Sequence, residues 1–256
     1  MMAYIRNLLN LLNSTLSTCA VLIILTMPAA AEFSCPVTSS ALKNKLVKAD
    51  TDDSSGFDNH FWAVVVNRAG VVCAVAFSGA KTGSQWLASR QIAAAKAFTA
   101  NGLSLDIGTG TGALATARLY QFVQPDNANV FNPLFGIDSG NVIDSHTVYQ
   151  GDYASFGTED DPLIGQRVGG TITFGGGLGL YKRTTIVGGI GVSGDTACAD
   201  HSVAWRTRSL LNLQEPTPPD LDKLAFATDA AMPNGHPHCP NDGGTQGTST
   251  VLLSLP

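Results

Sequence analysis

The chain has 256 residues, of which 44% are hydrophobic and 14% charged. That length supports one sizeable domain whose core needs no staples, and the composition excludes a disordered chain. A formal net charge of −5 without a basic cluster excludes phosphate-led binding of nucleic acid.

Arg6 is the only charge before Glu32. The apolar run "AVLIILTM" (Ala20 to Met27) and the small-x-small pattern of Ala29-Ala30-Ala31 then predict a secretory leader over 1–31, cleaved to leave 32–256. The run is too short for a spanning helix of roughly 20 residues, so no stable membrane anchor is expected. "LSTC" (Leu16 to Cys19) departs from a lipoprotein box at Thr18. The expected location is periplasmic or secreted, and losing Arg6 brings the net charge near −6. An oxidising compartment turns Cys35, Cys73, Cys198 and Cys239 into two expected disulfides. Cys35 with Cys239 would tie the two ends of the mature chain together and leave Cys73 for Cys198, although spacing alone leaves the connectivity open.

"FWAVVVNRAGVVCAVAFSG" (Phe61 to Gly79) reads as an antiparallel hairpin turning at Asn67-Arg68-Ala69-Gly70. An Ala-rich helix follows over Gly83 to Gly102, with Ser89 and Lys96 on its more polar face, and a second helix is expected over Gly112 to Val123. From Gln124 to Gln166 the chain is polar and aperiodic, a long loop or insertion, and its Asp152, Glu159, Asp160 and Asp161 read as solvated acids or a weak cation site. Glycine-cut apolar runs from Gly169 to Gly194 predict short strands, and a last helix spans Asp195 to Leu211. A Pro- and Gly-rich tail covers 212–256 beyond a core of 56–211. Strands joined by hairpins with helices between them indicate a single α+β domain around an antiparallel sheet.

Two glycine fingerprints test that reading. Gly189, Gly191 and Gly194 spell G-x-G-x-x-G ahead of the last helix, and Glu215 lies near the distance at which a dinucleotide fold places its ribose-binding acid. Pro-Thr-Pro-Pro after Glu215 removes the second parallel strand, so no nucleotide cofactor is expected. "LDIGTGTG" (Leu105 to Gly112) resembles an S-adenosylmethionine loop locally, yet too little chain precedes it for the first strand. An S-adenosylmethionine-dependent methyltransferase is the weakest functional alternative. Ser193 in G-V-S-G falls one residue short of a nucleophile elbow, with Asp200 and His201 too close for a separated triad, and no catalytic residue is assigned. The turn into the last helix still offers backbone N–H groups at Ser193 and Gly194 to an anion, and Asp195 is expected to cap that helix.

"WAVVVNRAGVVCAVAFSGA", "SRQIAAAKAFTA" and "VGGIGVSGDTACADHSVAWR" together resemble the GlcG/HbpS family of haem-binding or haem-degrading-type proteins, in particular its exported members, over Phe61 to Arg208. The resemblance implies a sheet of about five strands flanked by helices, assembly into homo-oligomers, and haem or a related tetrapyrrole as ligand, sequestered or sensed. A small-molecule enzyme using haem or a metal is the alternative. Asn67 stands where many relatives have Asp before the hairpin turn. Haem needs an axial donor and partners for its propionates. His201 beside Ser193, Gly194 and Asp200 is the leading ligand constellation, with Arg90 and Lys96 for propionates and His60 as a second histidine. His146 lies in the insertion, and "HPHC" (His236 to Cys239) reads as a rigid loop rather than a metal tract.

Overall fold

The computed structural model describes residues 34–124, 143–216, 220–224, 226 and 235–240. The expected leader, part of the insertion and most of the tail lie outside the described residues. Among the described residues, no helix is long and apolar enough to cross a membrane.

The order is α1 (Ser39–Thr51), β1 (Trp62–Asn67), β2 (Val72–Phe77), α2 (Ser89–Leu103), α3 (Thr116–Val123), α4 (Ser145–Val148), β3 (Gly177–Lys182), β4 (Thr185–Ser193) and α5 (Ala197–Leu210). The four strands form one sheet in the order β2-β1-β4-β3, and every pairing is antiparallel. The α+β architecture is as expected, with four strands among the described residues rather than about five. An antiparallel sheet also removes the parallel βαβ frame that either nucleotide reading requires.

Both faces of the sheet are covered, which explains why β1 is apolar without alternation. Ala63 and Val65 face a layer containing Leu42 and Leu46 of α1 and Val203 and Trp205 of α5. Trp62, Val64 and Val66 face Ala93, Ala94 and Ala97 of α2 together with Val148, Phe156 and Leu163 from the expected insertion. The described part of that insertion is therefore a packed wall of the core. Helix α1 had no counterpart in the sequence reading, although Leu42, Leu46 and Ala49 supply its buried stripe and Thr38 Oγ1 caps it by accepting from Ala41 N at 3.2 Å.

Helix α2 lies against β4 at backbone distance. A Cβ on Gly191 would run into the carbonyl oxygen of Ala93, and one on Gly189 into that of Ala97. These two fingerprint glycines thus serve a close approach of helix to strand. Upstream, Gly108, Gly110 and Gly112 take φ values of +90°, +50° and +63° in an exposed turn that Leu105 N closes onto Gly112 O at 2.8 Å. Asn67 makes its own hairpin turn, its Oδ1 accepting from Ala69 N at 3.0 Å and Val71 N at 3.1 Å.

The expected face of α2 is corrected: Ser89 and Lys96 are buried. So is the disulfide pairing. Cys35 joins Cys73 on β2, and Cys198 in the first turn of α5 joins Cys239. Each bridge thus clips one terminal segment to a nearby core element, and the two ends are not tied to each other.

Candidate functional site

The turn from β4 into α5 is saturated by its own chain. Asp200 is buried on the first turn of α5, and its Oδ1 accepts from Gly194 N at 2.9 Å and Asp195 N at 3.0 Å. Of the two amides expected to receive an anion, that of Gly194 is filled by an internal carboxylate, which takes the Asp195 amide rather than that of Ser193 as its second donor. The other oxygen of Asp200 takes Lys96 Nζ at 2.6 Å, and the ammonium also donates to Val192 O at 3.0 Å. Burial pushes Asp200 up to about 6 against the pull of Lys96, and burial lowers Lys96. Neither group faces solvent.

His201 is likewise enclosed. Its Nδ1 accepts from Gly176 N at 3.4 Å, and Nε2 donates to Asp222 O at 3.2 Å, so both ring nitrogens are used. Burial, reinforced by the nearby Arg208 charge, depresses its pKa to about 3 and keeps the ring neutral. Arg90 is also internal: its Nη atoms grip Asp161 through two contacts of 2.6 Å, and its guanidinium lies 4.0 Å from the centre of the Phe156 ring. This pair clamps the 143–166 segment onto α2, and it overturns the reading of Asp161 as a solvated acid. Of its neighbours, Glu159 accepts from Ser40 N at 2.8 Å and Asp152 from Ala154 N at 2.9 Å.

Asp195 is not the cap of α5. Thr196 caps it, accepting from Ala199 N at 3.2 Å, while Asp195 accepts from Phe57 N at 2.9 Å and from Asn59 N at 3.0 Å. Gly194 adds a steric requirement, since a Cβ there would collide with the carbonyl oxygen of His60. The glycine turn therefore fixes the loop that presents His60.

That histidine differs from the other six residues singled out by sequence. Its side chain is 47% exposed, whereas Arg90, Lys96, Ser193, Gly194, Asp200 and His201 are all buried. Its Nδ1 lies 2.8 Å from Asp50 Oδ2 at the end of α1. An ionised carboxylate only accepts, so Nδ1 donates and the lone pair rests on Nε2. A carboxylate behind an imidazole both orients it and raises its basicity as a ligand, the arrangement found behind metal-bound histidines. Asp50 escaped the sequence reading because α1 did, although it stands only ten residues upstream.

His60 forms one wall of a polar cleft of about 260 Å³ that Asp53, Ser55, Asp58 and Asn59 also line. On its other side the ring approaches Gly79, where a Cβ would come within 3.0 Å of His60 Cδ2. Gln85 knits the loop beyond Gly79, its Oε1 accepting from Gly79 N at 3.3 Å and its Nε2 donating to Lys81 O at 2.8 Å. Burying Gln85 leaves Trp86 and Leu87 outside, 57% and 41% exposed. Phe57, three residues before His60, is 55% exposed. An accessible imidazole with the exposed Phe57 ring close to it in the chain suits a flat, apolar, iron-bearing macrocycle. The acidic cleft side does not suit propionates, whereas Lys81 on the Gly79 side is exposed and cationic.

The PduOC protein, in its crystal structure with haem, matches at 19% identity over 68% of this chain and 92% of its own, with a TM-score of 0.43. Protein ORFY of Klebsiella pneumoniae matches at 20% identity over 70% and 92%, with a TM-score of 0.42. No curated protein matches the chain significantly. The family model described as haem-degrading protein, HbpS-like, matches residues 44–208, from α1 to near the end of α5 and well over half of the sequence, and the chain belongs to that family.

Proposed function

We propose that this is an exported haem- or tetrapyrrole-binding protein that sequesters or senses its ligand, with His60 as the axial donor. The observation that carries the reading is the exposed imidazole backed by the Asp50 carboxylate at 2.8 Å, in a chain of the HbpS-like family. Haem brings the redox and oxygen chemistry of its iron, and the protein supplies binding, orientation and electrostatics. His60 offers Nε2 to the iron, Asp50 holds the ring in that tautomer, and Phe57 and Trp86 offer apolar area to the macrocycle. Asp195 and Gly194 hold the loop that carries His60. Ser193, Asp200, His201, Arg90 and Lys96 act by shaping the scaffold.

Export through a leader at 1–31, a periplasmic or secreted location and assembly of like subunits belong to the same reading. Export is supported by the two disulfides. The test is addition of haemin to the purified mature protein. A shifted Soret band saturating at one haem per chain, and lost in His60→Ala, is expected. An unchanged free-haemin spectrum overturns the proposal. The family's description gives the enzymatic alternative its weight: with a reductant and air, a stable band indicates a binding protein. Progressive loss of the band with an open-chain tetrapyrrole as product indicates haem degradation.

A further inference from the structure

The disulfide at the start of α5 has a third member. Cys198, Cys239 and His236 place one ligand atom each within 4.8 Å of one another, and among the described residues no other three His, Cys, Asp or Glu side chains do so. Among the described residues, Cys35–Cys73 has no such companions. His236 is 3% exposed, and its Nδ1 lies 2.7 Å from Pro237 O. A carbonyl only accepts, so Nδ1 carries the proton and Nε2 is the nitrogen with a lone pair to offer. The surroundings are largely apolar: Ala117, Leu224 and Phe226 pack against Cys198 and the partly buried Cys239.

We propose that when a dithiol reductant opens the Cys198–Cys239 bridge, Cys198, Cys239 and His236 bind a zinc-class divalent cation. The 235–240 segment is then held to α5 by a disulfide under oxidising conditions and by a metal under reducing ones. The dithiol gives up two electrons and two protons and becomes a disulfide, while the S–S bond of the protein breaks into two thiols. The incoming cation displaces those two protons to solvent and forms two metal–thiolate bonds.

Two features favour the second state. Two thiolates and a neutral imidazole around a divalent cation sum to zero charge, which a largely buried, apolar site tolerates. Cys198 sits in the first turn of a 14-residue helix, where the dipole favours a thiolate, and its own N–H already points at Cys239 Sγ from 3.2 Å. Tetrahedral thiolate coordination sets the sulfurs roughly 3.8 Å apart, so each moves by only about 1 Å from its bridged position. Three protein ligands leave a fourth position for water.

The test is a cobalt(II) titration of the untagged mature protein before and after reduction with a phosphine, read as the near-ultraviolet thiolate-to-cobalt band and followed by far-ultraviolet circular dichroism. Expected are no band in the oxidised protein, one cobalt per chain after reduction, and displacement by zinc. His236→Ala should weaken binding by about 10-fold or more. The Cys198→Ser/Cys239→Ser variant should show no band even though it retains Cys35 and Cys73. A folded, reduced protein with no band overturns the proposal, as does an equal band in the double-serine variant. Reduced protein that unfolds and does not regain its dichroism with zinc overturns it too.

Discussion

Two neighbouring regions carry the same residue types and use them in opposite ways. At the turn from β4 into α5, Lys96, Asp200 and His201 are buried and bonded to their own chain. At the rim, His60 and Asp50 make a similar polar contact, yet the imidazole is 47% exposed. The turn resembles a ligand site by spelling, and its polar groups are spent inside the fold. The rim has no motif, and it presents a free Nε2. What separates them is where the second partner of each group lies: inside the fold at the turn, and in solvent at the rim.

Mutations at the turn should therefore act on stability and those at the rim on ligand binding. The largest effect is expected for Asp200→Ala, which strands the Lys96 ammonium in the core and frees two backbone donors. Breaking a buried pair from one side costs ~3–5 kcal/mol, measurable by urea denaturation. A cost near that of a surface change would show that the turn is not scaffold. Gly191→Ala comes next, because its Cβ must push α2 away from β4, at a cost of ~1–3 kcal/mol with the fold retained. Improved stability in that variant would remove the close-approach explanation of the fingerprint.

The third effect is on pH dependence. Unfolded His201 takes up a proton near its ordinary 6.5, whereas the folded ring resists protonation down to about 3. Its contribution is thus present above pH 6.5 and declines as pH falls toward 3, by ~1.4 kcal/mol per unit. Burial raises Asp200 and Asp222, to about 6 and about 7, and these carboxyls work in the opposite sense. The His201 contribution is therefore read from the difference between wild type and His201→Gln, which should shrink on acidification from pH 6.5 to 5. A pH-independent difference would mean that His201 titrates in the fold as it does in the unfolded chain. The smallest effect on stability is expected for His60→Ala, within about 0.5 kcal/mol because its ring is half outside. A melting temperature well below wild type would make His60 structural and erase the contrast.

Much of the fold was legible because its signals are local. The hairpin around Asn67, the alanines of α2 and the final helix follow from turn chemistry and propensity, and together they carry the resemblance that the family match bears out. The face of α2 was misread because Lys96 is polar by type, and only Asp200, 104 residues away, makes its burial affordable. Arg90 with Asp161 repeats the lesson across 71 residues, and it turns an acidic stretch into core wall. Disulfide partners depend on which segments meet in space, so termini that looked suited to each other are each clipped elsewhere. For the site, the sequence draws the eye to His201 because a glycine motif is visible in a string of letters, whereas the solvent exposure that sets His60 apart from it is not.

The most direct measurement compares haemin affinity in His60→Ala and His201→Gln, each against wild type, by Soret titration at pH 7.5. The account predicts at least a tenfold loss for His60→Ala, set against a change of less than about twofold for His201→Gln, a difference of ~1 kcal/mol or more. Full affinity in His60→Ala with loss in His201→Gln would contradict it and return the ligand to the glycine turn.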